Sequence, residues 1–342
     1  MSKYRVLILG NTGMLGHMVE HVLAADSCFD VRGASRRDFD VMQNDSPPFL
    51  KGESRCWFGI PASSAGLRTS GIEEVSVDRG DIWHPDYIIN CIGITANRID
   101  DADATSVASA IRVNSEFPHT LVALAAAHGA KVIHMSTDGV FAGDRDEAYS
   151  EKDIPDAQDT YGRTKILGES QAPNVLNIRT SIIGPSPHEG GGLWEWTTKQ
   201  SDGATIQGYT NHIWHGVTTR QFAELCAKII TDEVDGARGK TPGVEESAGS
   251  PLVLRSTRES LFDVLRKQSY VLHFVPNDPI SKYNLLCALR DALSKRITIE
   301  PIEHPTPIRR VLATNNTVLQ SSPTHIPSLR EALDEVISDE PI

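Results

Sequence analysis

The sequence predicts an α/β protein built on an open parallel sheet, and three observations carry that expectation. Short, uninterrupted apolar runs such as Val6–Leu9 and Tyr87–Ile89 have the pattern of strands buried on both faces. Apolar residues at Met14, Leu15, Met18, Val19, Val22 and Leu23 follow a helical period, as expected of a helix packed on a sheet. The two patterns meet in a glycine-rich turn, Gly10-Asn11-Thr12-Gly13-Met14-Leu15-Gly16.

That turn sets the first functional expectation. A strand, a turn of bare backbone N–H groups and the positive end of a helix form a seat for a pyrophosphate, so Gly10, Thr12, Gly13, Met14, Leu15 and Gly16 are candidate nucleotide contacts. The second strand is expected over Asp30–Ala34 and ends in Ser35-Arg36-Arg37, with no acid before Asp38. An acid near this point suits a ribose 2′-hydroxyl, whereas a cation suits a 2′-phosphate. Ser35 and Arg36 therefore favour NADPH, with NADH as the alternative. From Gln43 to Gly71 the chain is rich in Pro, Ser and Gly and shows no helical period. A short strand at Glu74–Asp78 follows, whose closing Asp78 is placed to meet an adenine edge. The segment Tyr87–Gly93 reads as a buried strand running into a small-residue turn, where the backbone, with Cys91, Ile92 and Gly93, can pass close to a cofactor.

Helices are expected over Asp103–Arg112 and over Ser115–His128, the second capped by Ser115 and ended by Gly129. The strand Lys131–Met135 then delivers Ser136-Thr137-Asp138 to the carboxyl edge of the sheet, where ligands of such sheets bind. Downstream, Tyr161 and Lys165 stand four residues apart on one helix face, so a phenol and an ammonium share one cleft. A neighbouring cation is expected to lower a phenol from its free value of about 10 and fit it for proton transfer.

Composition bounds the function classes. At 342 residues the chain can form two lobes around a cleft, and its 39% apolar and 23% charged content is that of a globular protein. A net charge of −12 argues against nucleic acid and against an anionic membrane surface. The five cysteines are widely spaced and read as reduced thiols, the histidines show no metal-ligand spacing, and no apolar run approaches a signal sequence or a membrane span. The expected location is the cytoplasm.

Together these segments resemble the extended short-chain dehydrogenases/reductases, and within them the dTDP-4-dehydrorhamnose reductase family. The likeness rests on Gly10–Gly16, Asn90–Gly93, Val113-Asn114, Ser136–Phe141, Tyr161–Lys165 and Ile178–Thr180, in that order, and covers residues 4 to 185 best. It is patchier through Gly216–Thr219 and Pro279–Tyr283. The chain departs from the pattern at Gly139, where the family often has tyrosine, and in the long 43–71 connection.

The resemblance implies a Rossmann-type doubly wound parallel sheet over residues 1–180, completed by parts of 213–231, and a smaller C-terminal α/β substrate-binding lobe over most of 181–342. It implies Tyr161 as general acid, Lys165 as holder of the nicotinamide ribose, and Thr137 as partner of the substrate carbonyl. It adds Asn114 to the cofactor side and Asp138, Gly139 and Val140 to the substrate side. The implied reaction is NADPH-dependent reduction of the 4-keto group of a nucleotide-activated 6-deoxy sugar, in deoxysugar or cell-surface polysaccharide biosynthesis. An epimerase on the same substrates and a non-catalytic regulatory subunit of the same fold are the alternatives. The assembly is left open, a homodimer among the options.

Further candidates come from the second half. Arg179, at the end of the strand Val175–Arg179, suits a ligand phosphate or a structural ion pair. The turn Pro187–Gly192 leads into a helix carrying Trp194, and Gly208–Gly216, with Asn211 and Trp214, offers flat faces and hydrogen-bonding groups to a sugar or base. The segment Thr219–Thr231 is expected as an amphipathic helix, Arg258–Lys267 as a short helix, Tyr270–Val275 and Ile297–Ile302 as strands, and Ser281–Leu293 as a helix. Ser328-Leu329-Arg330-Glu331 reads as a capping box opening a last helix.

Overall fold

The computed structural model describes residues 3–43, 83–188, 192–235, 258–316 and 328–339. The first part of the chain runs β1 (Tyr4–Leu9), α1 (Met14–Ala24), β2 (Phe29–Ala34), β3 (Tyr87–Asn90), α2 (Ala104–Ile111), α3 (Phe117–Ala127), β4 (Lys131–Met135), α4 (Thr160–Gly168) and β5 (Val175–Arg179). It continues through β6 (Ser181–Ile183), α5 (Leu193–Thr198), β7 (Thr205–Tyr209), β8 (His212–Trp214), β9 (Gly216–Thr218) and α6 (Thr219–Thr231). The last part is β10 (Glu233–Asp235), β11 (Arg258–Ser260), α7 (Leu261–Gln268), β12 (Val271–His273), β13 (Ile280–Ser281), α8 (Lys282–Ala292), β14 (Thr298–Ile302), β15 (Ile308–Arg309) and α9 (Leu329–Asp339). The expected strand ending at Asp78, and nearly all of the 43–71 connection, lie outside the described residues.

Six strands form one parallel sheet in the order β12-β5-β4-β3-β1-β2. Side chains alternate across it, which is why its strands read as continuous apolar runs. Val6, Ile8, Ile89, Ile133 and Leu176 face one layer with α1, α6 and α7. Leu7, Leu9, Ile88, Val132 and Val175 face the other, with Phe117, Leu121, Val122 and Ala125 of α3. Burial of each such side chain stabilises the fold by about 1.5–3 kcal/mol. The doubly wound sheet is therefore as expected, with one addition: β12 and α7, from the C-terminal half, complete the sheet and one of its layers.

The two helices expected between residues 103 and 128 are a single bent run. Asp103 caps its start, accepting from the N–H groups of Thr105 and Ser106. Between α2 and α3, residues Arg112–Glu116 form a π-helical turn, in which the Phe117 N–H reaches back to the Arg112 carbonyl. The cause is Pro118, which has no N–H and whose ring crowds the carbonyl four residues earlier, that of Asn114. Ser115 is thus no cap. It lies inside the bend and donates its hydroxyl to the Thr164 carbonyl of α4 at 2.8 Å.

Apart from the main sheet, the parallel pair β7–β14, the three-stranded sheet β13-β8-β15 and the helices α5 and α8 gather near a second apolar cluster of Ile206, Leu286, Ile297 and Ile299. Helix α9 opens with the expected capping box, Ser328 and Glu331 each accepting from the other's backbone N–H. It packs Leu333 and Val336 into the layer that also contains Phe222, Leu285 and Leu289.

Helix α4 is held against the π-helical turn at Gly168, where a Cβ would run into the Asn114 carbonyl oxygen. Gly168→Ala is expected to destabilise the protein by about 1–3 kcal/mol through overpacking against backbone, read from the urea midpoint. A loss below about 0.5 kcal/mol, the usual size of a neutral surface change, would contradict that packing.

Candidate active site

The nucleotide turn has the geometry its sequence implies. Gly10 adopts φ +79, and a Cβ on Gly16 would collide with the Gly10 carbonyl, so these glycines let the turn fold back on itself. Helix α1 starts at Gly13 with no side-chain cap and no acid in its first turn, which leaves its N–H groups to a ligand. Cys91 and Ile92 sit beside Gly10, within 3.2–3.4 Å of a Cβ built there, so the two turns expected to touch a cofactor adjoin at the sheet edge. Burial pushes the Cys91 thiol up to about 12, so it packs as a neutral group. Asn114 is buried and bridges the next loop, accepting from the Ile94 N–H at 2.8 Å and donating to the Ile94 carbonyl at 2.9 Å.

At the end of β2 the structure refines the reading of Ser35. Its hydroxyl and its N–H both donate to Asp38, at 2.6 and 2.9 Å, so the carboxylate folds back onto the strand end. Arg36 and Arg37 stand exposed beside it.

The catalytic candidates converge at the carboxyl edge of β4. Thr137 follows β4 and holds its own turn, its Oγ1 accepting from the Gly139 N–H at 3.0 Å. Tyr161 and Lys165 come from α4, which Asp159 caps through the Gly162 N–H at 2.7 Å. The Tyr161 phenol lies beside the Thr137 hydroxyl, which favours its ionised form, while Lys165 donates to the Met135 carbonyl at 2.7 Å. A Cβ on Gly139 would stand 3.1 Å from the Tyr161 ring and 3.2 Å from Thr137 Oγ1, so glycine there keeps this corner open.

The electrostatics overturn one expectation. Burial pushes the Tyr161 phenol up to about 12, against the Thr137 hydroxyl and the positive field of Arg310, so the neighbouring cation does not bring it toward neutrality. Tyr161 is therefore a protonated donor at any working pH. Burial also brings the Lys165 ammonium down to about 8, opposed by the carboxylate of Glu169.

Behind these residues lies an ion pair that sequence reasoning left undecided. Arg179 is buried and donates to Glu169 through Nε at 2.8 Å and through a terminal nitrogen at 2.6 Å. Glu169 also accepts from the Ser136 hydroxyl at 2.6 Å. Arg179 is thus a structural partner, enclosed with no face toward a ligand phosphate.

The chain is similar to several known proteins. The model of the RmlD substrate binding domain matches residues 73–190. A dTDP-4-dehydrorhamnose reductase of Mycobacterium tuberculosis is 36% identical over 212 residues, 59% of this chain and 57% of the relative. Methionine adenosyltransferase 2 subunit beta of Danio rerio is 24% identical over 301 residues, 85% of this chain and 74% of the relative. The crystal structure of dTDP-4-dehydrorhamnose reductase from Bacillus anthracis in complex with NADP superposes with a TM-score of 0.68 at 18% identity, over 99% of this chain and 100% of that one, a likeness of fold. The chain resembles dTDP-4-dehydrorhamnose reductases in part of its sequence and in its fold. Its matches span 34% and 57% of the length of the first curated relatives.

Several residues expected on the substrate side are taken up by tertiary packing and hydrogen bonds. Trp194 and Trp214 are buried in the main core, and Val140 packs with Phe141, Tyr149 and Leu312. Asn211 accepts from the His304 N–H at 2.9 Å and donates to the His304 carbonyl at 2.7 Å, which uses its amide to pin one strand connection. Asp138 does face the cleft corner, accepting from Ser181 at 2.7 Å and from Thr137 at 3.2 Å. Arg310 was missed, because nothing in its local sequence distinguishes it from Arg309. Among the described residues no cluster of three His, Cys, Asp or Glu side chains could hold a metal ion, and no helix is long and apolar enough to cross a membrane.

Arg179→Leu leaves the Glu169 carboxylate buried and unpaired, and is expected to destabilise the protein by about 3–5 kcal/mol. Chemical denaturation checks it, and a loss below about 1 kcal/mol would contradict the enclosed pair.

Proposed function

We propose that the chain is an NADPH-dependent reductase of the 4-keto group of a nucleotide-activated 6-deoxy sugar, acting in the cytoplasm in deoxysugar biosynthesis. The observation that carries this reading is the protonated Tyr161 phenol paired with Thr137 at the carboxyl edge of β4, with Lys165 one helical turn behind it. The open glycine turn at α1 fits a dinucleotide pyrophosphate, and the exposed Arg36 fits a 2′-phosphate. Bound NADPH supplies the hydride.

The chain's own residues supply the rest. Thr137 orients the substrate carbonyl toward Tyr161. As charge develops on that oxygen, Tyr161 gives up its proton; an alkoxide is a stronger base than a phenolate, so transfer runs downhill even from a phenol near 12. Lys165 binds the ribose of the cofactor and compensates the phenolate that forms. A second reading, a non-catalytic subunit with the same cleft, is favoured by the likeness to methionine adenosyltransferase 2 subunit beta over 85% of the chain. Turnover of a panel of 4-keto nucleotide sugars with NADPH separates the two.

Tyr161→Phe is expected to lower turnover roughly 10²–10⁴-fold with NADPH affinity little changed, since the ring remains and only the proton donor is lost. Turnover near that of the unaltered protein would remove Tyr161 from the mechanism. Raising the pH should lower kcat/KM as Lys165 loses its charge through about 8, well before Tyr161 titrates. Lys165→Arg, which stays charged, should abolish that alkaline limb; a limb that persists unchanged in the variant assigns it to another group.

A further inference from the structure

The small sheet β13-β8-β15 assembles a cationic wall. Ser281 and Arg309 both pair with Ile213, one from an antiparallel and one from a parallel neighbour. Alternation then sends Arg309 to the far face, where its Nε donates to the Asp146 carbonyl at 2.9 Å. Arg310, one residue past β15, falls on the near face with His212, and Lys282, the first residue of α8 after β13, lies electrostatically close to both.

That face looks at the catalytic corner. The Arg309 N–H donates to the Gly143 carbonyl at 2.7 Å, and the Tyr149 N–H donates to the Val311 carbonyl at 2.7 Å, which straps the segment after β15 along the loop that follows Thr137 and Asp138. Arg310 acts electrostatically on Tyr161, and Lys282 feels both Arg310 and Asp138.

The wall carries excess positive charge. Lys282 sits in the first turn of α8, where the helix end is itself positive. Among the described residues neither Arg310 nor Lys282 makes an ion pair, and the Arg310 Nε is buried with no hydrogen-bond partner. Asp138 is the carboxylate that faces them, and it already accepts from Ser181 and Thr137. An unsatisfied buried guanidinium N–H beside a second cation is a costly arrangement that an oxyanion relieves.

We propose that Arg310 and Lys282 form an oxyanion-binding wall that holds a phosphate or carboxylate group of the substrate opposite Tyr161. The proposal rests on the reductase reading for the identity of the substrate, but its test needs no turnover. Calorimetric titration of the full chain with thymidine diphosphate, thymidine and glucuronate, in the unaltered protein and in Arg310→Gln, Lys282→Gln and Arg310→Lys, separates the outcomes.

Loss of one charge-assisted contact is expected to weaken thymidine diphosphate about 10- to 100-fold in Arg310→Gln, with thymidine unchanged and Arg310→Lys intermediate. The same loss confined to glucuronate supports the wall and assigns it to a carboxylate. Unchanged affinity for both anions in Arg310→Gln and Lys282→Gln, with melting temperatures intact, overturns the proposal. Arg310-dependent anion binding without any turnover would leave the wall standing and defeat the reductase reading alone.

Discussion

The Glu169–Arg179 pair is the interaction on which the catalytic edge depends. Its carboxylate receives two guanidinium hydrogen bonds and one from Ser136, so no charge is left bare in the interior. Net stabilisation from such a pair is small compared with apolar packing, because desolvation of two ions offsets their attraction. What it supplies is orientation. Glu169 ends α4, Arg179 ends β5, and Ser136 opens the turn that carries Thr137, so one contact fixes three elements from behind. The network reaches further: Arg179 approaches His273 of β12 at 3.4 Å, and His273 meets the Ala313 carbonyl at 2.9 Å. Burial drives His273 down to about 4, which keeps it neutral between a cation and a carbonyl.

Burial also sets the charges around the candidate site. On the sheet side it raises the phenol and lowers the ammonium, moving both toward their neutral forms. Arg310 and Lys282 make no ion pairs among the described residues, and burial lowers Lys282 as well. On the proposed reading, a substrate between them would meet a proton donor on one side and a positive field on the other, a division suited to an oxygen that gains negative charge during reaction.

How much of this was legible in the sequence followed from how local each signal is. Strand runs buried on two faces, a glycine turn and a four-residue Tyr–Lys spacing are determined by neighbours in the chain, so β1, β4, β5, α6 and the Tyr161–Lys165 pair read directly. Trp194, Trp214, Asn211 and Arg179 have ligand-binding chemistry but are claimed by tertiary partners that lie far along the chain or on other elements. The π-helical turn was hidden because Pro118 acts on a carbonyl four residues earlier while leaving the apolar pattern intact. Arg310 became visible only through strand register, which puts it on the opposite face from Arg309.

The strap between residues 143–149 and 309–313 has a consequence of its own. Arg309 N–H to Gly143, Tyr149 N–H to Val311 and Ala313 N–H to Tyr149 are main-chain hydrogen bonds, each 2.7 Å long. Main-chain bonds do not depend on which side chains flank them. The distance between these two segments is therefore gauged by peptide groups, while the chemistry displayed beside them is written in side chains, and the two can change independently. Substitution of the flanking side chains can alter what is displayed there without resetting that spacing.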